Sequence, residues 1–86
     1  MKLFILHSAN IEADGQLFID CHSPYTSIQQ AQQNQLSIIE AFKNKHSRQD
    51  NQWVYEELGL FIRVALPDGS SELQTHIEEY ETENIA

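Results

Sequence analysis

Apolar and polar positions alternate along this chain in a way that marks out four extended stretches, a shorter fifth candidate and one helix. From Leu3 to Ala9 both alternating faces are apolar, with Leu3 and Ile5 on one and Phe4 and Leu6 on the other. That is the pattern of a strand covered on both sides or set centrally in a sheet. Asp14-Gly15 has the residues of a tight hairpin turn, and Gln16 to His22 returns with Leu17, Ile19 and Cys21 on one face. A strict two-residue turn pairs Ile11 with Phe18 and His7 with His22, while a longer loop fits the alternation equally well.

Helical spacing follows. Ile28, Ala31, Leu36, Ile38, Ile39 and Phe42 recur every three or four residues and predict one buried helix face running to about Lys45. Ser23-Pro24 offers an entry, with Thr26 or Ser27 capping a later start, and Lys43, Lys45 and His46 suit the negative end of the helix dipole. The glutamines between Gln29 and Gln35 read as a solvated helix face, because Gln is a good helix former and the run is too short for a low-complexity domain.

Beyond a polar link from Ser47 to Gln52, Trp53-Val54-Tyr55 is a candidate short strand broken at Gly59. Leu60, Ile62, Val64 and Leu66 share one face of the clearest strand, which Pro67-Asp68-Gly69-Ser70 turns back into Glu72 to Tyr80. A type I′ turn at Asp68-Gly69 sets Leu66 opposite Ser71, Val64 opposite Leu73, Ile62 opposite Thr75 and Leu60 opposite Ile77. Phe61, Arg63 and Ala65 then oppose His76, Gln74 and Glu72 on the other face. The predicted architecture is α+β, ordered β-β-α-(β)-β-β: an antiparallel sheet of four to five strands with one long helix packed on one face.

Eighty-six residues make one domain, able to bury about 60–65% of its unfolded surface, with a frayed tail expected after about residue 80. The lone cysteine, Cys21, excludes an intramolecular disulfide and favours a reducing cytoplasm. The apolar run at the N-terminus is shorter than a secretory signal requires. No stretch approaches the ~18 apolar residues of a membrane span, and the five bases form no polybasic anchor.

Charge supplies the one pointer to function. The net charge is −8, and from Glu56 onward eight acids face a single base, Arg63, whereas the first fifty-five residues carry five acids and four bases. A negative sector of this kind repels nucleic acid and acidic lipid and attracts a basic protein. The candidate partner-binding residues are Glu72, Glu78, Glu79 and Glu81, with Trp53 and Phe61 as an aromatic contribution.

The chemistry-bearing residues are sparse. His7, Cys21 and His22 form the alternative, a small ligand- or metal-binding site, but adjacent Cys21 and His22 point to opposite faces of a strand and do not converge. Cys21 with His7, His22 or His76 is the sole candidate set for nucleophilic catalysis, and its spacing specifies nothing. Cys21 on an apolar strand face reads as core packing. No cofactor motif is present, and the expectation is a non-enzymatic protein.

Three segments, Leu3-Phe4-Ile5-Leu6-His7, the helix opening at Thr26-Ser27, and His76-Ile77-Glu78-Glu79-Tyr80-Glu81, resemble small strand-strand-helix-strand proteins of phages and other mobile elements. The chain departs from that pattern between Arg48 and Gly59, where it is longer and adds a strand. The resemblance implies an accessory role such as inhibiting or neutralising another protein, and no catalytic residues. The expected function is a cytoplasmic interaction protein with a basic partner; a homodimer built through sheet edges or the uncovered sheet face is a further alternative.

Overall fold

A computed structural model of the protein describes residues 2–22, 24–46 and 53–81. Its elements in chain order are β1 (Lys2–Ile11), β2 (Leu17–Cys21), α1 (Ile28–Lys45), β3 (Val54–Leu58), β4 (Phe61–Ala65) and β5 (Glu72–Glu81). All five strands join one antiparallel sheet in the order β2-β1-β5-β4-β3, and α1 covers one of its faces. This is the predicted α+β architecture, with the candidate strand after Trp53 present in full. Ser23, the polar link at 47–52 and the tail at 82–86 lie outside the described residues.

The first and last strands form the spine. β1 and β5 are ten residues each and pair along their whole length, from Lys2↔Glu81 to Ile11↔Glu72, which places β1 inside the sheet as its two apolar faces predict. Leu6, Ile77 and Ala31 form one buried cluster under the helix, and Ile39, Phe42, Ile62, Val64 and Leu73 form the other, with Ile38 packed against both.

The hairpin of β4 and β5 has the predicted register, including Val64↔Leu73 and Ile62↔Thr75. Its turn is one step earlier than a type I′ pair at Asp68-Gly69. Gly69 N–H donates to the Leu66 carbonyl at 2.9 Å, so Pro67 and Asp68 occupy the corners and Gly69 follows at φ 75°. Pro at the first corner pre-sets its φ, and Gly accepts the positive φ without steric cost.

The first hairpin takes the longer loop. Gly15 N–H donates to the Glu12 carbonyl and Glu12 N–H to the Gln16 carbonyl, both at 2.9 Å, giving Ile11↔Leu17 and His7↔Cys21 rather than the strict two-residue register. One residue of slip exchanges the faces of a strand. Leu17, Ile19 and Cys21 therefore lie on the side away from α1, and Cys21, expected in the core, is exposed. Past Cys21 the chain continues along β1: His22 N–H donates to the Leu6 carbonyl and Tyr25 pairs with Phe4.

α1 begins after Ser27, whose hydroxyl donates to Gln29 Oε1 at 2.8 Å instead of capping the backbone. Its inward face is Ala31, Gln35, Ile39 and Phe42, and Leu36, predicted inward, is 53% exposed. Gln35 departs from the solvated face assigned to the glutamines: it is 2% exposed, and its Nε2 donates to the Leu60 carbonyl and to Thr75 Oγ1, each at 3.0 Å. Thr75 Oγ1 in turn donates to the Ile62 carbonyl at 3.0 Å. Paired in this way, a polar side chain sits between helix and sheet without an unsatisfied amide donor.

Glu12 ties three segments together. Its carboxylate accepts from Lys45 Nζ at 2.9 Å, Asn10 Nδ2 at 3.1 Å and Ser71 Oγ at 3.2 Å, joining the first loop to the end of α1 and the start of β5. The Lys45 hydrogen bond holds its pKa below the ordinary value, against the opposing effect of burial.

Candidate interaction surface

Strand alternation assigns every side chain on the face away from α1. β2 contributes Leu17, Ile19 and Cys21, and β1 contributes Leu3, Ile5, His7, Ala9 and Ile11. β5 adds Glu72, Gln74, His76, Glu78 and Tyr80, β4 adds Phe61, Arg63 and Ala65, and β3 adds Val54, Glu56 and Leu58. No described segment covers this face, and Leu17, Ile19 and Leu58 are 56%, 69% and 80% exposed. The layout is a polar stripe along β5 between apolar flanks on β1–β2 and at Phe61, Leu58 and Val54.

One row crosses all five strands: Cys21, His7, His76, Phe61 and Leu58 are successive cross-strand partners. Beside it a shallow depression of about 160 Å³ is lined by His7, Ala9, Ile19, Phe61, Gln74 and His76. Glu78 borders the row. It accepts a hydrogen bond from the Tyr80 hydroxyl, and its Oε1 lies 3.6 Å from His7 Nε2 and 3.9 Å from His76 Nδ1. The Tyr80 hydrogen bond lowers the Glu78 pKa, and the same bond raises that of Tyr80.

The other charges of the face are paired with each other. Arg63 Nε donates to Glu72, and Arg63 Nη1 donates to Glu56 Oε1 at 3.1 Å. Gln74 Nε2 donates to Glu72 Oε2 at 2.6 Å. Arg63, the single base of the acidic half, thus bridges carboxylates from β3 and β5.

The predicted acidic quartet does not form one surface. Glu72 and Glu78 share the open face, six residues and about 20 Å apart along β5, whereas Glu79 and Glu81 alternate to the helix side. Glu79 there meets Lys2 Nζ at 3.0 Å. Alternation in the sequence carries this split already, since 78 and 79 differ in parity. Of the two aromatic candidates, Phe61 lies on the open face, but Trp53 is half-buried against Phe42 at a ring separation of 6.0 Å and belongs to the core.

The alternative trio is also divided. His7 and Cys21 are cross-strand partners on the open face, while His22 lies on the helix side with Nε2 3.5 Å from Ser8 Oγ. Among the described residues no cluster of three or more His, Cys, Asp or Glu has the geometry to hold a metal ion. His76, named from the sequence only as one of three candidate bases for Cys21, is brought beside His7 by strand order. Among the same residues no helix is long and apolar enough to cross a membrane.

No protein-family model matches the chain, and neither does any curated protein or solved structure.

Proposed function

We propose that this protein acts by binding another protein rather than by catalysis, in the cytoplasm where Cys21 stays a thiol, and that the contact is the open face of the sheet. The observation that carries the reading is the exposure of Leu17, Ile19 and Leu58 on a face already carrying Leu3, Ile5, Ile11 and Phe61. Large apolar side chains exposed on both flanks of one uncovered sheet face mark an interaction site on a small domain. A basic partner drawn to the acidic end of β5 is the second reading, favoured by the closeness of Glu78, Glu79 and Glu81 in the chain. It ranks below the first because Tyr80 already engages Glu78 and Lys2 engages Glu79.

The test is affinity capture from the native host with four baits: the natural chain, Ile19→Asp, Leu36→Asp and the double reversal Glu78→Lys with Glu79→Lys. Leu36 is similarly exposed but lies on the helix. Partners retained by the natural chain and Leu36→Asp but lost with Ile19→Asp support the open face. Partners indifferent to Ile19→Asp yet lost on reversing Glu78 and Glu79 transfer the site to the acidic end.

A further inference from the structure

The open face has three properties that together select its occupant, and we infer that the occupant is a second copy of this chain, packed face to face as a two-layer sandwich. The inference rests on the reading that this face is an interaction surface.

Size comes first. Two ten-residue strands reach about 33 Å and three five-residue strands about 17 Å, which at a spacing of ~4.8 Å gives the face about 560 Å². Specific interfaces begin at about 600 Å² per partner. The open face has the area of a small, concentration-dependent dimer contact.

Charge comes second. The face carries three carboxylates, Glu56, Glu72 and Glu78, and one guanidinium, Arg63, whereas the chain as a whole is at −8. Arg63 bridges Glu56 and Glu72 and offsets one of their two charges, and Glu78 is engaged by Tyr80 with His7 and His76 alongside, so the face holds two of the eight net negative charges. A basic partner would have to compete with these internal contacts. A second copy brings carboxylates that are already hydrogen-bonded within their own sheet, and the more acidic remainder of both molecules stays outside the contact.

Pattern comes third. The polar β5 row lies at the centre of the sheet with apolar flanks on either side. A two-fold axis lying in the plane of the contact and passing over β5 sets β5 against β5 and apolar flank against apolar flank, whether it runs along the strands or across them. The apolar flanks are therefore complementary to themselves, and the two polar β5 rows meet between them. Sheets stacked in this way lie about 10 Å apart, and the depression between Ile19 and Phe61 lies near the centre of the contact.

The experiment is sedimentation of the full chain over a micromolar to millimolar series, with far-UV circular dichroism of each variant as the check on folding. The natural chain should sediment at twice its 9.9 kDa mass. Ile19→Asp and Leu58→Asp, one on each flank and both exposed in the single chain, should weaken the dimer by about a hundredfold or more while keeping the natural spectrum, because each sets an unpaired charge in the contact. Leu36→Asp should remain dimeric. A monomeric natural chain over the whole series overturns the inference, and if capture from the host still depends on Ile19, the interaction reading survives without it. A dimer broken by Phe18→Asp, on the helix side of β2, but not by Leu58→Asp would mean edge-to-edge pairing and equally overturns it.

Discussion

Replacing Gln35 tests the helix–sheet interface more sharply than any apolar substitution, because its side chain is held by partners of known identity. Gln35→Leu removes the two hydrogen bonds that Nε2 donates, to the Leu60 carbonyl and to Thr75 Oγ1. At about 0.5–1.5 kcal/mol net for each, the expected loss is about 1–3 kcal/mol, offset in part by the apolar side chain it buries. Leu60 retains one donor, Ile77 N–H at 3.3 Å, so its carbonyl is not orphaned. Thr75→Val removes the hydroxyl that accepts from Gln35 and donates to Ile62, and should cost about 1–2 kcal/mol. The Gln35–Thr75 hydrogen bond is lost in both single variants, so the double variant should be less destabilised than their sum by about 0.5–1.5 kcal/mol. Urea unfolding followed by the fluorescence of the single tryptophan, Trp53, gives all four corners of the cycle. A melting shift of about 4–8 °C per kcal/mol is expected for a domain of this size. Gln33→Ala, on the exposed side of α1, should change stability by less than about 0.5 kcal/mol. Additivity, or a Gln35→Leu effect no larger than that of Gln33→Ala, would refute the buried amide and require a different rotation of the helix.

Gly69→Val should cost about 1 kcal/mol or more in the same assay, since no atom lies within 4 Å of an added Cβ and the positive φ alone is responsible; a neutral substitution would refute the turn. Glu12 makes a pH-dependent contribution whose sign follows from its lowered pKa: the stabilisation is present above the unfolded carboxylate pKa and is lost as pH falls through the lower folded value. The stability difference between the natural chain and Glu12→Gln, under about 1 kcal/mol at neutral pH, should therefore shrink on acidification, and a difference independent of pH would refute the Lys45 ion pair. In the Leu58→Asp variant, expected to be monomeric, Cys21 should react with a thiol reagent nearly as fast as in urea, and strong protection there would place it back on the helix side.

Local chemistry and strand alternation by themselves determined the class of the fold, the extent of α1 near its C-terminal end, and the β4–β5 register. The last was legible because Pro67, Asp68 and Gly69 confine the turn while Ile62, Val64, Leu73 and Ile77 require one common buried face, and both constraints agree. Tertiary structure alone decided the rest. The Asp14-Gly15 loop admits two registers differing by one residue, and because strand side chains alternate with a period of two, that single residue moved Leu17, Ile19 and Cys21 from the helix side to the open face. Gln35 reads as a surface residue from its polarity, yet helical spacing carries it to the core, where Leu60 and Thr75 happen to satisfy its amide. The pairing of His7 with His76, and of Arg63 with carboxylates on both sides, depends on the first and last strands meeting in the middle of the sheet. Residues so far apart in the chain become neighbours through strand order, which no local pattern encodes.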